Sequence, residues 1–104
     1  MSGKAAKIRL SEKQQVVLQQ IRRSTTAPTR LVQRVSVILM AFSGALNVAI
    51  AHEMGLARKQ VGLWRRRWRQ SFDALVAIEC RESQAALYQA IHDVLSDAPR
   101  SGWT

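Results

Sequence analysis

The sequence predicts an all-α protein, and three observations lead to that prediction. Proline, the residue that most strongly interrupts helices, occurs only at positions 28 and 99. Apolar residues recur at three- and four-residue spacing along most of the chain, which is the period of an amphipathic helix. No run of alternating β-branched residues is long enough for a sheet. We therefore expect a bundle of about four helices with an additional C-terminal helix.

The first two helices have clear start and stop signals. Ser11 and Gln14 have the spacing of a capping box, which predicts a helix over residues 11–23. The polar stretch STTAPT ends this helix, and a second is predicted to begin at Pro28 or Thr29 and run to Phe42, with Gly44 as a left-handed stop. The second helix is the most hydrophobic, so we expect it at the centre of the bundle.

Two further helices follow with a short interval between them. The third is predicted over residues 47–54, with Asn47 as its N-cap and Gly55 as its end. The fourth is predicted from about Arg58 to Ser71 or beyond. The brief break between them predicts that the two helices are neighbours in space.

The interval between the third and fourth helices has the spacing of a helix-turn-helix. This motif needs a small residue where the helices touch and a glycine at the turn, and Ala51 and Gly55 meet these needs. Apolar anchors on both sides of the turn are Ile50, Met54, Leu56, Val61 and Trp64. An ordinary antiparallel helix pair inside a bundle is the alternative interpretation.

The fourth helix has two different faces at about 100° per residue. One face gathers Val61, Trp64, Trp68 and Phe72, which predicts core anchors rather than platforms for stacked bases. The other face gathers Arg58, Lys59, Gly62, Arg66 and Arg69, with Arg65 at its edge. The sequence thus predicts one helix that is buried on its aromatic side and basic on its outer side.

Charge points to a polyanion as the partner of that basic face. The chain has 16 Lys and Arg against 7 Asp and Glu, a net charge of +9. Residues 58–69 hold six basic residues and no acid, and residues 1–34 hold eight with one acid, whereas the last third is acidic. Nucleic acid is therefore the first expected partner, and the first two thirds of the chain should bind it.

Each residue of the basic face has an expected role. Recognition helices present their N-terminal residues to the major groove, so Arg58 and Lys59 are expected to read base edges. Arg65, Arg66 and Arg69 lie further along and are expected to contact phosphates.

Four other positions complete the expected DNA site. Gly62 has no side chain, so it would allow the helix backbone to approach the floor of the major groove. The equal alternative is that this glycine is merely tolerated in the helix and has no role in binding. Leu63 would meet a thymine methyl group or remain a surface leucine. Asn47 and His52 would donate to phosphates at the groove edge. Four arginines flank the first loop, and they would form either a second phosphate patch or a solvated charged face: Arg22, Arg23, Arg30 and Arg34.

Other classes of protein are disfavoured by the composition. No apolar run approaches the roughly 20 residues of a membrane span, and no apolar block follows the basic N-terminus as in a secretory signal. We therefore expect no membrane contact and a cytoplasmic, nucleoid-associated location. Cys80 is the only cysteine, expected to be partly buried, and His52 and His92 lack partners at ligand spacing. With no nucleophile–base pair either, we expect no metal, no cofactor and no enzyme activity.

The sequence resembles the N-terminal region of bacterial insertion-sequence transposases of the mariner superfamily. The likeness rests on LSEKQQ, RLVQRVSVILMAFSG, NVAIAHEMGLARKQVGLWRRRW and VLSDAPRSG. It implies a homeodomain-like helix-turn-helix that binds the terminal inverted repeats of the element. Trp103 stands where the family's linker usually carries a basic residue, so a minor-groove contact is not expected there. The family's carboxylate-based catalytic domain is missing from this sequence, so a separate catalytic polypeptide would have to supply strand cleavage.

These expectations divide the chain into four parts. Residues 1–10 form a flexible basic N-terminus and residues 11–78 the helix-turn-helix DNA-binding domain. Residues 79–96 form a C-terminal amphipathic helix, with Ser83 as its cap, and residues 97–104 a linker-like tail.

Three functions stay open at this point. The first is duplex DNA binding as the non-catalytic first reading frame, or truncated N-terminal part, of a transposase. The second is a helix-turn-helix transcription regulator with residues 84–96 as a dimerisation or effector surface, so that a homodimer is one expected assembly. The third is a basic adaptor for proteins or RNA, which a preference for duplex DNA would exclude.

Overall fold

Five α-helices make up most of residues 8–96, the part of the chain described by the structure, which is a computed structural model. They are α1 (Glu12–Arg23), α2 (Thr29–Phe42), α3 (Asn47–Met54), α4 (Arg58–Arg81) and α5 (Gln84–Val94). Residues 8–96 contain no strand, so the all-α prediction is confirmed. The predicted linker-like tail and most of the predicted flexible N-terminus lie outside the described residues.

Side-chain caps begin α1 and α5 where the sequence predicts them. The Ser11 hydroxyl accepts a hydrogen bond from the Gln14 backbone at 3.1 Å. The Gln14 side chain in return accepts one from the Ser11 backbone at 3.0 Å, which completes the capping box. Ser83 accepts from the Ala86 backbone at 3.2 Å and caps α5. Both predicted caps are confirmed.

Glycines close α2 and α3, but the predicted N-cap of α3 is wrong. Gly44 has a φ of 102° and Gly55 a φ of 68°, the left-handed conformation that costs glycine least. Leu46, not Asn47, is the N-cap residue of α3, and no side chain caps this helix. Asn47 is already helical, and its side chain lies against α4 near Gly62 instead of folding back on its own helix.

Helix α4 is the longest element, and it continues well past Ser71 to Arg81. Leu75 is buried and Ile78 packs against the core, so the apolar side of the helix stays covered along this extension. Helix α5 reverses direction after Glu82 and packs along α4 and α1. Cys80, on the extension, is exposed, so the prediction that it is partly buried is wrong.

A single core joins all five helices. Helix α2 packs against α1, α3 and α4, which confirms the central position predicted from its hydrophobicity. Fully buried members of this core include Val17, Leu18, Ile21, Val35, Ile38, Ile50, Val61, Trp68, Leu87 and Ile91. Among the described helices, none is long and apolar enough to span a membrane.

Candidate nucleic-acid interface

Helices α3 and α4 are joined by the short turn 55–57 and pack against each other. The Leu56 backbone N–H donates to the Ala51 carbonyl at 2.9 Å, which closes the end of α3. Ala51 is buried in the last turn of α3, and Ile50 and Val61 are fully buried on either side of the turn. The small residue and the left-handed glycine thus lie at the junction of α3 and α4, and two of the predicted apolar anchors, Ile50 and Val61, are buried there.

The tryptophans of α4 face the interior of the bundle. Trp68 is fully buried, and its indole N–H donates to the backbone carbonyl of Arg9 at 3.0 Å. Trp64 is also buried, while Phe72 is half-buried under the Arg9 guanidinium, whose carbon lies 4.3 Å from the ring centroid. The predicted core side of α4 is confirmed. Neither indole has a free face on which a base could stack.

Contacts to α4 also hold the segment before α1. Ile8 is buried in the core, and the Arg9 backbone and side chain contact Trp68 and Phe72 respectively. Residues 8–10 belong to the stretch that the sequence analysis assigned to a flexible N-terminus. In the structure, α4 holds these three residues, because the indole N–H needs an acceptor inside the bundle.

Two arginines stack on Trp64 and bind the end of α5. The guanidinium carbons of Arg34 and Arg67 lie 4.3 Å and 4.9 Å from the Trp64 ring centroid. Arg34 donates to the Leu95 carbonyl at 3.0 Å and Arg67 to the Ser96 carbonyl at 3.4 Å. These bonds satisfy backbone carbonyls at the end of α5.

This role was not predicted for either arginine. Arg34 was expected in a second phosphate patch or on a solvated charged face, whereas its side chain contacts α4 and α5. The three-residue spacing of Trp64 and Arg67 on one helix was a usable signal for their contact. Of the proposed patch, Arg22, Arg23 and Arg30 are exposed.

The outer face of α4 carries most of the predicted DNA-binding side chains. Arg58, Lys59, Arg66 and Arg69 are exposed, and Leu63 is 40% exposed among them. No acidic residue interrupts this helix between Arg58 and Gln70. We call Arg58, Lys59, Leu63, Arg66 and Arg69 together the α4 basic face. Its exposure leaves cationic groups within reach of a polyanion.

Arg65 does not belong to the α4 basic face, which corrects the expectation that it contacts phosphate. Its side chain is only 6% exposed, and it donates to the Ala45 carbonyl at 3.3 Å. Burial, and secondarily the charge of Arg69, lowers the pKa of the Arg65 guanidinium. The turn between α2 and α3 covers this edge of α4, a tertiary contact that a helical wheel does not include.

Gly62 faces α3 rather than open space. A Cβ at this position would have the Asn47 Nδ2 as its nearest neighbour, at 3.8 Å. Gly62 is partly buried, and the Asn47 Oδ1 is buried without a hydrogen-bond partner. Gly62 therefore lies beside Asn47 of α3, and its approach to the groove floor stays a prediction. Of the two phosphate donors expected on α3, His52 is exposed and Asn47 is partly buried.

Within residues 8–96, no group of histidine, cysteine and acidic side chains is arranged to hold a metal ion. No protein-family model, no curated protein and no solved structure matches the chain.

Proposed function

We propose that this protein binds duplex DNA, with the α4 basic face in the major groove. The observation that carries the proposal is the division of one helix into two surfaces. Trp64 and Trp68 are buried and hold α4 against the core, while Arg58, Lys59 and Arg66 are exposed on the other side. An α-helix fits the major groove, which is about 12 Å wide.

Electrostatics supports nucleic acid as the partner. Exposed arginines can contact DNA phosphates directly. Each such contact releases counterions from the DNA, which favours binding. Arg66 and Arg69 are the phosphate-contacting residues in this proposal, and Arg58 and Lys59 at the start of α4 read base edges. The Leu63 side chain, exposed between them, contacts a thymine methyl group.

The resemblance to insertion-sequence transposases favours terminal inverted repeats as the target. In this proposal the chain is the DNA-recognition part of a transposase, acts in the cytoplasm on nucleoid DNA, and leaves strand cleavage to a catalytic transposase domain. The proposal needs no metal or cofactor in this chain.

Fluorescence anisotropy with a random-sequence duplex, measured over a series of salt concentrations, tests the phosphate contacts. Each lost phosphate contact reduces the slope of log K against log salt by about 0.9. The plots of log K against log salt for the wild type and Arg66→Ala should meet near 1 M salt. At roughly 0.1 M salt, Arg66→Ala should therefore bind the duplex about eightfold more weakly than the wild type. Arg81→Ala is the matched control, because Arg81 is also exposed on α4 but lies about 22 Å further along the helix. Equal losses in both variants would contradict a local phosphate contact.

Selection of bound sequences from a random duplex pool tests base reading. Arg58→Ala should weaken the free energy of binding to the selected duplex by about 1–3 kcal/mol. The variant's preference for the selected duplex over a random duplex should fall by the same amount. Arg66→Ala should reduce the affinity for the selected duplex and for a random duplex by the same factor. If no sequence is enriched, or if single strands bind more tightly than duplex, the proposal is wrong.

A further inference from the structure

A recess lies between the segment before α1 and the middle of α4. Its volume is about 300 Å³, and it is lined by Arg9, Trp68, Arg69, Phe72 and Asp73. Arg9 and Arg69 are both exposed. We call it the Arg9–Arg69 recess. Two cationic side chains from separate parts of the chain therefore border one recess, and one of them belongs to the α4 basic face.

The structure holds Arg9 in place at two points. Its backbone carbonyl accepts a hydrogen bond from the Trp68 indole at 3.0 Å, and its guanidinium carbon lies 4.3 Å from the Phe72 ring centroid. Stacking uses the flat face of the guanidinium, so the N–H groups in its plane stay directed past the edge of the ring. A side chain that is ordered before binding loses less conformational freedom when it meets a ligand. Arg9 is thus a preorganised donor on an exposed surface.

We propose that the Arg9–Arg69 recess is a seat for one phosphate group, which on DNA is a backbone phosphate beside α4. Guanidinium groups donate paired hydrogen bonds to phosphate oxygens. A helix with its side chains is about 10–12 Å across and the major groove about 12 Å wide, so the two strands lie along the edges of a helix in the groove. Arg69 marks such an edge, because Phe72, three residues on, packs toward the core side. The step from phosphate to DNA rests on the proposed function.

Asp73 gives the recess a testable asymmetry. It is an exposed carboxylate at the border of the recess, set against the two arginines. A third guanidinium is nearby, since burial and, secondarily, the charge of Arg69 lower the pKa of Arg65. The charge around the recess therefore stays positive. Because the Asp73 carboxylate repels phosphate, Asp73→Asn should bind phosphate more tightly than the wild type.

The first experiment uses no DNA. Inorganic phosphate is titrated against chloride at constant ionic strength, and the arginine side-chain Nε–H signals are followed. We expect the Arg9 and Arg69 signals to shift with one common midpoint, while Arg81, exposed in the last turn of α4 and outside the recess, is the matched control. In Asp73→Asn the midpoint should fall about threefold. Shifts no larger than at Arg81, separate midpoints, or no tighter binding by Asp73→Asn would overturn the seat.

The same titration tests Phe72 as a positioning residue for Arg9. Phe72→Leu keeps both arginines and removes the ring on which Arg9 stacks. It should weaken phosphate binding about three- to tenfold, the ordering cost of one long side chain. In a protein that already carries Arg9→Ala, the same substitution should leave phosphate binding unchanged. Equal losses in both backgrounds would show general damage to the fold and overturn the positioning role.

The last experiment asks whether DNA supplies the phosphate. Backbone phosphates of the selected duplex are replaced one at a time by neutral methylphosphonates. The wild type and Arg81→Ala should each lose about eightfold in affinity at roughly 0.1 M salt for every contacted phosphate. At one of these positions the loss should disappear in the variant that combines Arg9→Ala and Arg69→Ala.

Two results would contradict different parts of the account. If inorganic phosphate binds but the combined variant keeps the wild-type methylphosphonate profile, DNA is not the source of the phosphate and that step is overturned. Absence of any duplex binding would contradict the proposed function, while the titration with inorganic phosphate still decides whether the Arg9–Arg69 recess is a phosphate seat.

Discussion

Replacing Trp68 by leucine tests whether the tryptophans of α4 stabilise the fold or contact bases. Trp68 is fully buried, and its indole N–H donates to the Arg9 carbonyl at 3.0 Å. Leucine removes this hydrogen bond, which contributes about 1 kcal/mol. It also leaves about 60 Å³ unfilled, which costs roughly 1.5 kcal/mol at about 24 cal/mol per Å³. The free energy of unfolding should therefore fall by at least about 2.5 kcal/mol, and Tm by at least roughly 12 °C for a chain of this size, because the lost burial of the indole adds to both terms.

Thermal denaturation followed by circular dichroism measures the stability, and anisotropy well below the variant's midpoint measures duplex affinity. Because leucine cannot stack, loss of a base-stacking tryptophan would weaken binding by about 1–3 kcal/mol. We expect the affinity of the folded Trp68→Leu protein to change by less than about twofold. A variant with unchanged Tm and clearly weaker binding would refute the assignment of Trp68 to the core.

Three further substitutions test the local chemistry by urea denaturation. Gly62→Ala should raise the free energy of unfolding by about 0.5–1 kcal/mol, because the nearest atom to the new methyl group lies at an ordinary 3.8 Å; weaker duplex binding by this variant would instead favour close approach to the groove. Gly55→Ala should lower the free energy of unfolding by about 1 kcal/mol, because its φ of 68° strains alanine, and an unchanged value would argue against the left-handed turn. Ser11→Ala should lower the free energy of unfolding by about 1–2 kcal/mol, because Ser11 caps α1 and its hydroxyl also donates to Glu79 at 2.6 Å. Ser83→Ala loses only a cap, so it should lower the free energy of unfolding by less.

Helix boundaries could be predicted wherever the decisive interactions are local. The Ser11 capping box and the Ser83 cap use residues three apart, and the turns at Gly44 and Gly55 depend on one residue's backbone. The N-cap of α3 could not be predicted in this way. The Asn47 side chain lies near Gly62, fifteen positions away in the chain, a tertiary neighbour that the local sequence does not reveal.

The candidate site was predictable only in part, for a similar reason. Periodicity correctly separated the buried tryptophans of α4 from exposed Arg58, Lys59 and Arg66. A helical wheel does not include neighbouring elements, so it placed Arg65 at an exposed edge that the α2–α3 turn covers. The same limitation applies to Arg34, whose contacts are with Trp64 on α4 and with the end of α5.

The central claim is that the α4 basic face contacts the major groove while the aromatic side of α4 stays in the core. Titration of the isotope-labelled protein with a selected duplex, followed by backbone amide and side-chain shifts, tests this claim most directly. The account predicts that the largest changes occur at Arg58, Lys59, Leu63 and Arg66, with the indole N–H signal of Trp68 unchanged. Changes concentrated on α5, or a large shift of the Trp68 indole without changes on the α4 basic face, would contradict it.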